Sequence, residues 1–203
     1  MAADRYVRAA ARLQQILGQD APIIGGMAVN AYGYVRATQD VDLLVRMPLL
    51  RARERLEAEG IEVELRKGDP LAGELSSLSG VLGVEVRPGR VEGVVFDVLP
   101  ESVPVHPDRI ATLTLGDLSI RIVDLETLLR LKLKAGGPKD LYDVGVLANL
   151  NPEIKPSLLD YLAHKPRLLK RVQRLLDDPH VLATVRDLGR AERLLGAFSP
   201  DKS

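Results

Sequence analysis

The chain has 203 residues, equal numbers of acidic and basic residues, 46% hydrophobic and 28% charged side chains. This balance is that of an ordinary globular protein, and the zero net charge disfavours a dedicated DNA-coating or anionic-membrane protein. Cysteine is absent, which excludes disulfides, thiolate zinc sites and cysteine nucleophiles. Neither a signal peptide nor a membrane-spanning apolar run is found, so we expect a cytoplasmic protein with no membrane partner.

The first 123 residues show hydrophobic patterns that alternate between helical and strand periods. The predicted helices are residues 4–18, 27–34 and 51–58, and the predicted strands are residues 22–24, 41–45, 61–65, 81–86, 91–99 and 118–123. Glycine, proline and serine are frequent over residues 68–80, which predicts a loop. Pro88-Gly89 predicts a hairpin between the strands on either side of it.

From Asp124 onward the pattern changes to helices only. They are predicted near residues 124–135, 139–150, 155–163, 167–177 and 186–196, with prolines marking the breaks between them. We therefore divide the chain into an α/β domain, residues 1–123, and a helical region, residues 124–203.

Two aspartates on one predicted strand carry the first chemical signal. Side chains two residues apart in a strand point the same way, so Asp40 and Asp42 can direct two carboxylates to one point. Carboxylate oxygens are the ligands that Mg²⁺ prefers. Asp97 lies within a later, strongly apolar strand, where an unpartnered carboxylate is costly to bury. Three carboxylates on neighbouring strands can hold two metal ions, which activate an attacking hydroxyl and stabilise a leaving pyrophosphate.

The glycine pair before these aspartates has a matching task. Gly25-Gly26 follows a short apolar run and precedes a predicted helix. A glycine turn lets the backbone approach a triphosphate closely, and the free N–H groups of the following helix can point at it. Each feature alone is weak: the glycines fit a simple strand–helix turn, and the aspartates fit a solvated strand end. Their order along the chain is the stronger signal.

These motifs resemble the nucleotidyltransferase signature of the DNA polymerase beta superfamily. The abortive-infection type, which includes toxins of type IV toxin–antitoxin systems, is the most similar: Gly-Gly is followed by Arg-x-Thr-x-Asp-x-Asp, here Arg36-Ala37-Thr38-Gln39-Asp40-Val41-Asp42. A later Lys-Leu-x-Ala-x-x-x-Lys-Asp-x-x-Asp motif matches Lys132 to Asp143, and the resemblance covers roughly residues 20–150. Relatives often have arginine where this chain has Gly137, so a phosphate or substrate contact from that position is in doubt.

The resemblance implies an α/β fold with a nucleotidyltransferase-type mixed β-sheet and flanking helices, followed by an all-helical region. It also implies transfer of a nucleoside monophosphate from an NTP to a hydroxyl of tRNA, a protein or a small molecule, with Mg²⁺ or Mn²⁺ as cofactor and a possible antitoxin as partner. The implied catalytic and metal-binding residues are Asp40, Asp42 and Asp97. The implied nucleotide-binding residues are Gly25, Gly26, Arg36, Lys132 and Asp140.

Helical geometry gives Lys132 an independent argument. At about 100° per residue, Lys132 shares a face with Leu128 and Leu129, whereas Lys134 lies on the opposite side. An inward-facing ammonium needs an anionic partner, which a nucleotide phosphate or Asp140 would supply. Asp143 is interpreted as solvated or structural.

Other interpretations stay open. The fold can persist as a catalytically silent nucleotide-binding or protein-interaction module. The basic stretch of residues 164–174 could contact RNA, but it lacks aromatic residues for base stacking, so we interpret it as a solvated helix face. The histidines, all near prolines or loops, are interpreted as surface residues: His106, His164 and His180.

Overall fold

The computed structural model of the chain describes residues 2–68, 76–115 and 117–197. They belong to two compact units. We call residues 1–31 and 36–131 the α/β unit, and residues 32–35 and 132–203 the helical unit. Within the described part of the chain, no helix has the length and hydrophobicity to cross a lipid bilayer.

The α/β unit contains six strands and three helices in the part that the structure describes. The strands are β1 (Asp40–Val45), β2 (Val63–Arg66), β3 (Ser77–Arg87), β4 (Arg90–Pro100), β5 (Ala111–Leu115) and β6 (Leu118–Ile122). The helices are α1 (Ala2–Leu17), α2 (Gly25–Ala31) and α3 (Leu49–Ala58). A further helix, α4 (Leu125–Ala135), begins in this unit.

Four strands form one mixed sheet in the order β1-β4-β3-β2. The β1 and β4 strands are parallel, and the other pairs are antiparallel. One face of the sheet carries apolar side chains, and those of Val41, Leu43 and Phe96 are fully buried. Helices α1 and α3 pack against the strands of this sheet. Because side chains alternate in a strand, the aspartates of β1 and β4 lie on the other face.

Residues 22–24 lie along the outer edge of β1 and link it to the β5–β6 hairpin. The Ile23 amide donates to the Arg121 carbonyl at 2.8 Å, and the Ile24 amide donates to the Asp42 carbonyl at 2.9 Å. This predicted strand is therefore a short bridge between two other strands. It holds the start of α2 directly beside Asp42.

The helical unit contains α5 (Pro138–Leu150), α6 (Lys155–Leu162), α7 (Pro166–Leu176) and α8 (Pro179–Ala197). Helix α5 is its core, with Leu141, Val144 and Leu147 almost completely buried. It packs against α7 and α8. The separate segment 32–35 joins this unit through Asn151, whose Nδ2 donates to the Tyr32 carbonyl at 3.3 Å.

The predicted fold class is confirmed: a mixed sheet with flanking helices is followed by helices only. Three element predictions need correction. Strand β5 was not predicted, residues 77–80 belong to β3 and not to a loop, and α8 begins at Pro179 and not near residue 186. Residues 69–75 of the predicted loop lie outside the described residues.

Candidate active site

The carboxylates of three aspartates converge on the open face of the sheet. Strand register places Asp42 directly beside Asp97 across the parallel β1–β4 pair, and Asp40 lies two residues earlier on the same face of β1. Asp40, Asp42 and Asp97 each offer one carboxylate oxygen, and these oxygens all lie within 4.8 Å of one another. All three side chains are half-buried. The structure thus brings together the three residues that the sequence predicts as metal ligands.

Two hydroxyl groups contact these carboxylates from neighbouring positions. Thr38 Oγ1 donates to Asp40 Oδ1 at 3.2 Å. Ser79, which is buried on β3 opposite Asp97, donates a hydrogen bond to Asp97 Oδ1. The exposed guanidinium of Arg66 lies 3.9 Å from the same Asp97 oxygen. The carboxylates are therefore oriented by neighbours on three other segments of the chain.

Gly25 packs against Asp42 so closely that no side chain fits between them. A Cβ atom added to Gly25 would lie 2.7 Å from Asp42 Cγ, closer than such atoms approach in proteins. Gly25 also has a φ of +59°, in the left-handed region that favours glycine. Position 25 therefore requires glycine both for its backbone conformation and for the space that the Asp42 carboxylate occupies.

Gly26 has a similar relation to the loop before β1. A Cβ atom added there would lie 2.9 Å from Thr38 Cβ and 3.7 Å from Arg36 Nη1. Asn30 holds this loop in place: its Oδ1 accepts from the Arg36 amide at 3.0 Å, and its Nδ2 donates to the Arg36 carbonyl at 2.9 Å. The two glycines, Arg36 and the aspartates therefore form one continuous surface within the α/β unit.

This donor set fits a divalent metal ion. Mg²⁺ binds oxygen at about 2.1 Å, so two ligands of one ion lie at most about 4 Å apart. The three carboxylate oxygens lie within 4.8 Å of one another, so only a small inward movement of the side chains would bring them to the distances that one ion requires. Hard carboxylate oxygens, without histidine or sulfur, are the chemistry of a Mg²⁺ or Mn²⁺ site and not of a zinc site.

A second charged cluster lies in the helical unit. Lys132 Nζ is 2.7 Å from Asp140 Oδ1 and 3.0 Å from Asp143 Oδ2. The Lys132 side chain is only 11% exposed and Asp143 is 1% exposed, whereas Lys134 is exposed. Lys132 therefore faces inward and has anionic partners, one of which, Asp143, is fully buried and not solvated.

Sequence reasoning did not identify Thr38, Ser79, Arg66 or Asp143 as neighbours of the predicted site residues. For Asp143 a signal exists: it shares a helical face with Asp140 and Leu147, so its inward direction follows from periodicity. Thr38 belongs to the recognised motif and lies two residues before Asp40. Ser79 and Arg66 reach Asp97 only through strand register, for which the sequence carries no local signal.

The sequence matches no protein-family model, and a search of curated proteins finds no match either. Solved structures of similar shape include JHP933 from Helicobacter pylori, at 14% identity and TM-score 0.46 over 96% of this chain and 95% of that chain. A candidate nucleotidyltransferase from Thermotoga maritima has 12% identity and TM-score 0.47 over 81% and 94%. A tRNA-processing enzyme in an apo form has 17% identity and TM-score 0.38 over 99% and 60%. These similarities are low, and the functional argument below depends on the geometry of the site itself.

Proposed function

We propose that the chain is a metal-dependent nucleotidyltransferase of the DNA polymerase beta superfamily, which moves a nucleoside monophosphate from an NTP to a hydroxyl acceptor. The observation that supports this proposal is the convergence of Asp40, Asp42 and Asp97 beside a glycine turn that has no room for a side chain. A cluster of three half-buried carboxylates destabilises an apolar sheet unless it binds a cation, so a binding role explains its presence better than a structural role.

Asp40 and Asp42 would hold the metal ions, and Asp97 would complete the site. When bound, such ions neutralise phosphate charge and make a hydroxyl group more acidic. Ser79 and Thr38 keep the carboxylates of Asp97 and Asp40 in fixed orientations for this task. Because these hydroxyl groups donate and do not compete for cations, they leave the remaining carboxylate oxygens free to act as ligands.

The proposed reaction is a substitution at the α-phosphorus of the NTP. The acceptor hydroxyl oxygen forms a new bond to that phosphorus, while the bond to the β-phosphate oxygen breaks. Pyrophosphate leaves with the electron pair of the broken bond, and the Asp97 carboxylate accepts the proton of the acceptor hydroxyl. Asp97 suits this role because its half-buried carboxylate lies beside Asp40 and Asp42, and a general base must lie within hydrogen-bond reach of the proton that it removes.

The nucleotide-binding roles belong to two groups of residues. In the α/β unit, Gly25 and Gly26 would allow the triphosphate to approach the backbone, and the Arg36 guanidinium would contact a phosphate. In the helical unit, Lys132 would bind a phosphate by exchanging a carboxylate partner for it, and Asp140 would orient the ammonium group. The chain has Gly137 three residues before Asp140, so no arginine contributes there.

Transfer assays with α-labelled NTPs test the proposal. We expect Mg²⁺- or Mn²⁺-dependent labelling of one acceptor in a panel of total tRNA, the chain itself and aminoglycosides. Asp42→Ala should reduce the rate by at least about 10³-fold, because preorganised charge stabilisation supplies most of the rate enhancement in such sites. Asp108→Ala, which removes an exposed carboxylate of the same unit, should leave the rate unchanged.

Two results would contradict the proposal. Full transfer by folded Asp42→Ala would place the chemistry elsewhere. Tight binding of Mn²⁺ and NTP without transfer to any acceptor would favour the catalytically silent nucleotide-binding module.

The proposal extends to a cytoplasmic toxin with an antitoxin partner, which is supported only by the motif resemblance. Induced expression of the chain should then arrest growth, and Asp42→Ala should relieve that arrest.

A further inference from the structure

Helix α7 presents a continuous row of cations on its outer face. Arg167, Lys170, Arg171 and Arg174 are all exposed and follow the spacing i, i+3, i+4 and i+7, which places them on one side of the helix. At 1.5 Å per residue, the row is about 10 Å long. We call these four residues the α7 cation row. No acidic residue occurs among the eleven residues of α7.

The α7 cation row places four neighbouring cations on one helix face without an acidic residue among them. Arginines of the α/β unit typically pair with glutamates, as Arg46 does with Glu101 at 2.9 Å. Among the described residues, no carboxylate lies within ion-pair distance of any member of the row. Like charges at i and i+4 destabilise a helix by a few tenths of a kcal/mol, so the row is unfavourable for α7 alone.

The opposite face of α7 anchors it to the helical unit. Val172 is fully buried, and the leucines flanking it in the helix are partly buried. Because α5 and α6 pack against α7 and its leucines are at least partly buried, α7 presents little apolar surface to a lipid bilayer. None of the exposed large hydrophobic residues of the described chain lies on α7. A fixed row of cations without exposed apolar or aromatic neighbours fits a hydrated polyanion.

We propose that the α7 cation row, part of the stretch that the sequence alone led us to interpret as a solvated helix face, binds the phosphate backbone of structured RNA. Guanidinium groups form paired hydrogen bonds with phosphate oxygens, and three of the four residues are arginine. The absence of aromatic side chains from the row means that bases are not stacked there, so binding depends on the backbone and not on sequence. RNA is then the class of acceptor that this chain would modify, an identification that rests on the proposed nucleotidyltransferase function.

RNA binding is tested with the full chain by fluorescence anisotropy of a labelled 20-base-pair RNA hairpin, titrated at several salt concentrations in EDTA without nucleotide. The variant is Arg167→Gln/Arg171→Gln/Arg174→Gln. Its matched control, Arg51→Gln/Arg87→Gln/Arg186→Gln, removes the same charge from exposed arginines elsewhere in the chain. The slope of log K against log salt should fall by about 2–3 in the α7 variant, since each phosphate contact contributes almost one unit.

We expect the control to keep the slope of the unchanged chain and a hairpin of another sequence to bind equally well. An equal loss of slope in both variants would show that binding reflects net charge alone and would overturn the proposal. So would the absence of salt-dependent hairpin binding, or α7-dependent binding to phosphatidylserine vesicles but not to RNA. Because the assay contains neither metal nor NTP, RNA binding is measured independently of the transferase proposal. Asp42→Ala should therefore bind the hairpin as well as the unchanged chain does.

Discussion

At the scale of single residues, the contact between Gly25 and Asp42 is the most restrictive feature of the candidate site. A Cβ atom at position 25 cannot coexist with the present Asp42 side chain. The chain also contains Gly60, which has a φ of +72° but nothing within 4 Å of an added Cβ atom. Comparing substitutions at Gly25 and Gly60 therefore separates the effect of backbone strain from the effect of the collision with the Asp42 carboxylate.

We predict that Gly25→Ala abolishes Mn²⁺ binding, because Asp42 must turn away from Asp40 and Asp97. Gly60→Ala should leave Mn²⁺ binding unchanged. Gly60→Ala should lose about 1–2 kcal/mol of unfolding free energy, the usual cost of placing a side chain in the left-handed region. Gly25→Ala should lose at least as much, because Asp42 must also move. Isothermal titration with Mn²⁺ and urea denaturation measure the two effects. Normal Mn²⁺ affinity in Gly25→Ala would show that Asp42 is not a ligand.

At the scale of elements, Lys132 connects the end of α4 to α5 through two carboxylates. Its pairing with the buried Asp143 means that Lys132 contributes to folding as well as to the proposed phosphate contact. Removing one partner of a buried ion pair leaves an uncompensated charge, whereas removing both is much less costly. This asymmetry allows the structural part of its role to be measured separately.

We predict that Lys132→Met lowers the free energy of unfolding by about 3–5 kcal/mol, since it removes the Lys132 ammonium group from the buried Asp143 carboxylate. The double variant Lys132→Met/Asp143→Asn should recover part of that loss, with a coupling energy of about 1–3 kcal/mol. Lys134→Met, at an exposed position of the same helix, should change stability by less than about 0.5 kcal/mol. If the effects of Lys132→Met and Asp143→Asn on the free energy of unfolding are additive in urea denaturation, the two residues do not form a direct ion pair.

Element predictions from the sequence succeeded where a hydrophobic period is long and failed where pairing or capping decides. Ala111–Leu115 alternates as a strand should and is followed by a turn, so β5 was visible in principle. The start of α8 also had a signal, because Asp178 Oδ1 accepts from the His180 amide at 2.8 Å and Pro179 suits a first helical position. By contrast, Ser77–Gly80 has loop composition and is a strand only because β2 and β4 pair with it on both sides.

The candidate site shows the same division. The chemistry of Asp40, Asp42 and Asp97 could be predicted from residue type, alternation and order along the chain. Their mutual distances could not, because Asp97 joins Asp42 through a strand register between segments far apart in sequence. The contact of Ser79 with Asp97 depends on a second register of this kind. Contacts within one helix or turn are encoded locally, and contacts across strands are not.

At the scale of the whole molecule, the three carboxylates belong to the α/β unit, and the Lys132 cluster and the α7 cation row belong to the helical unit. The parallel register places Asp42 and Asp97 side by side, and like charges on directly opposed residues destabilise a sheet. In metal-free solution, the site therefore lowers the stability of the α/β unit. A bound cation reverses this effect, because it binds only the folded form.

We predict that Asp42→Asn raises the melting temperature of the metal-free chain, by about 2–4 °C for each 1 kcal/mol gained. Saturating Mn²⁺ should reverse the order of the two proteins, since a ligand at 100 times its Kd stabilises the unchanged chain by about 2.7 kcal/mol. Calorimetry measures the melting temperatures of the two proteins in EDTA and in Mn²⁺. Asp108→Asn is the control for removing the charge of an exposed aspartate. A lower melting temperature of Asp42→Asn in EDTA would show that the Asp42 charge stabilises the fold.

The absence of space between Gly25 and Asp42 also restricts the evolutionary paths open to this chain. A substitution at position 25 is accessible only after Asp42 has been replaced by a smaller residue or has lost its role. Decay of the site therefore has a direction: the carboxylate is lost first, and the glycine becomes free to vary afterwards. A descendant that keeps Asp42 but has a side chain at position 25 would hold that carboxylate away from Asp40 and Asp97, so an intact site requires Gly25 and Asp42 together.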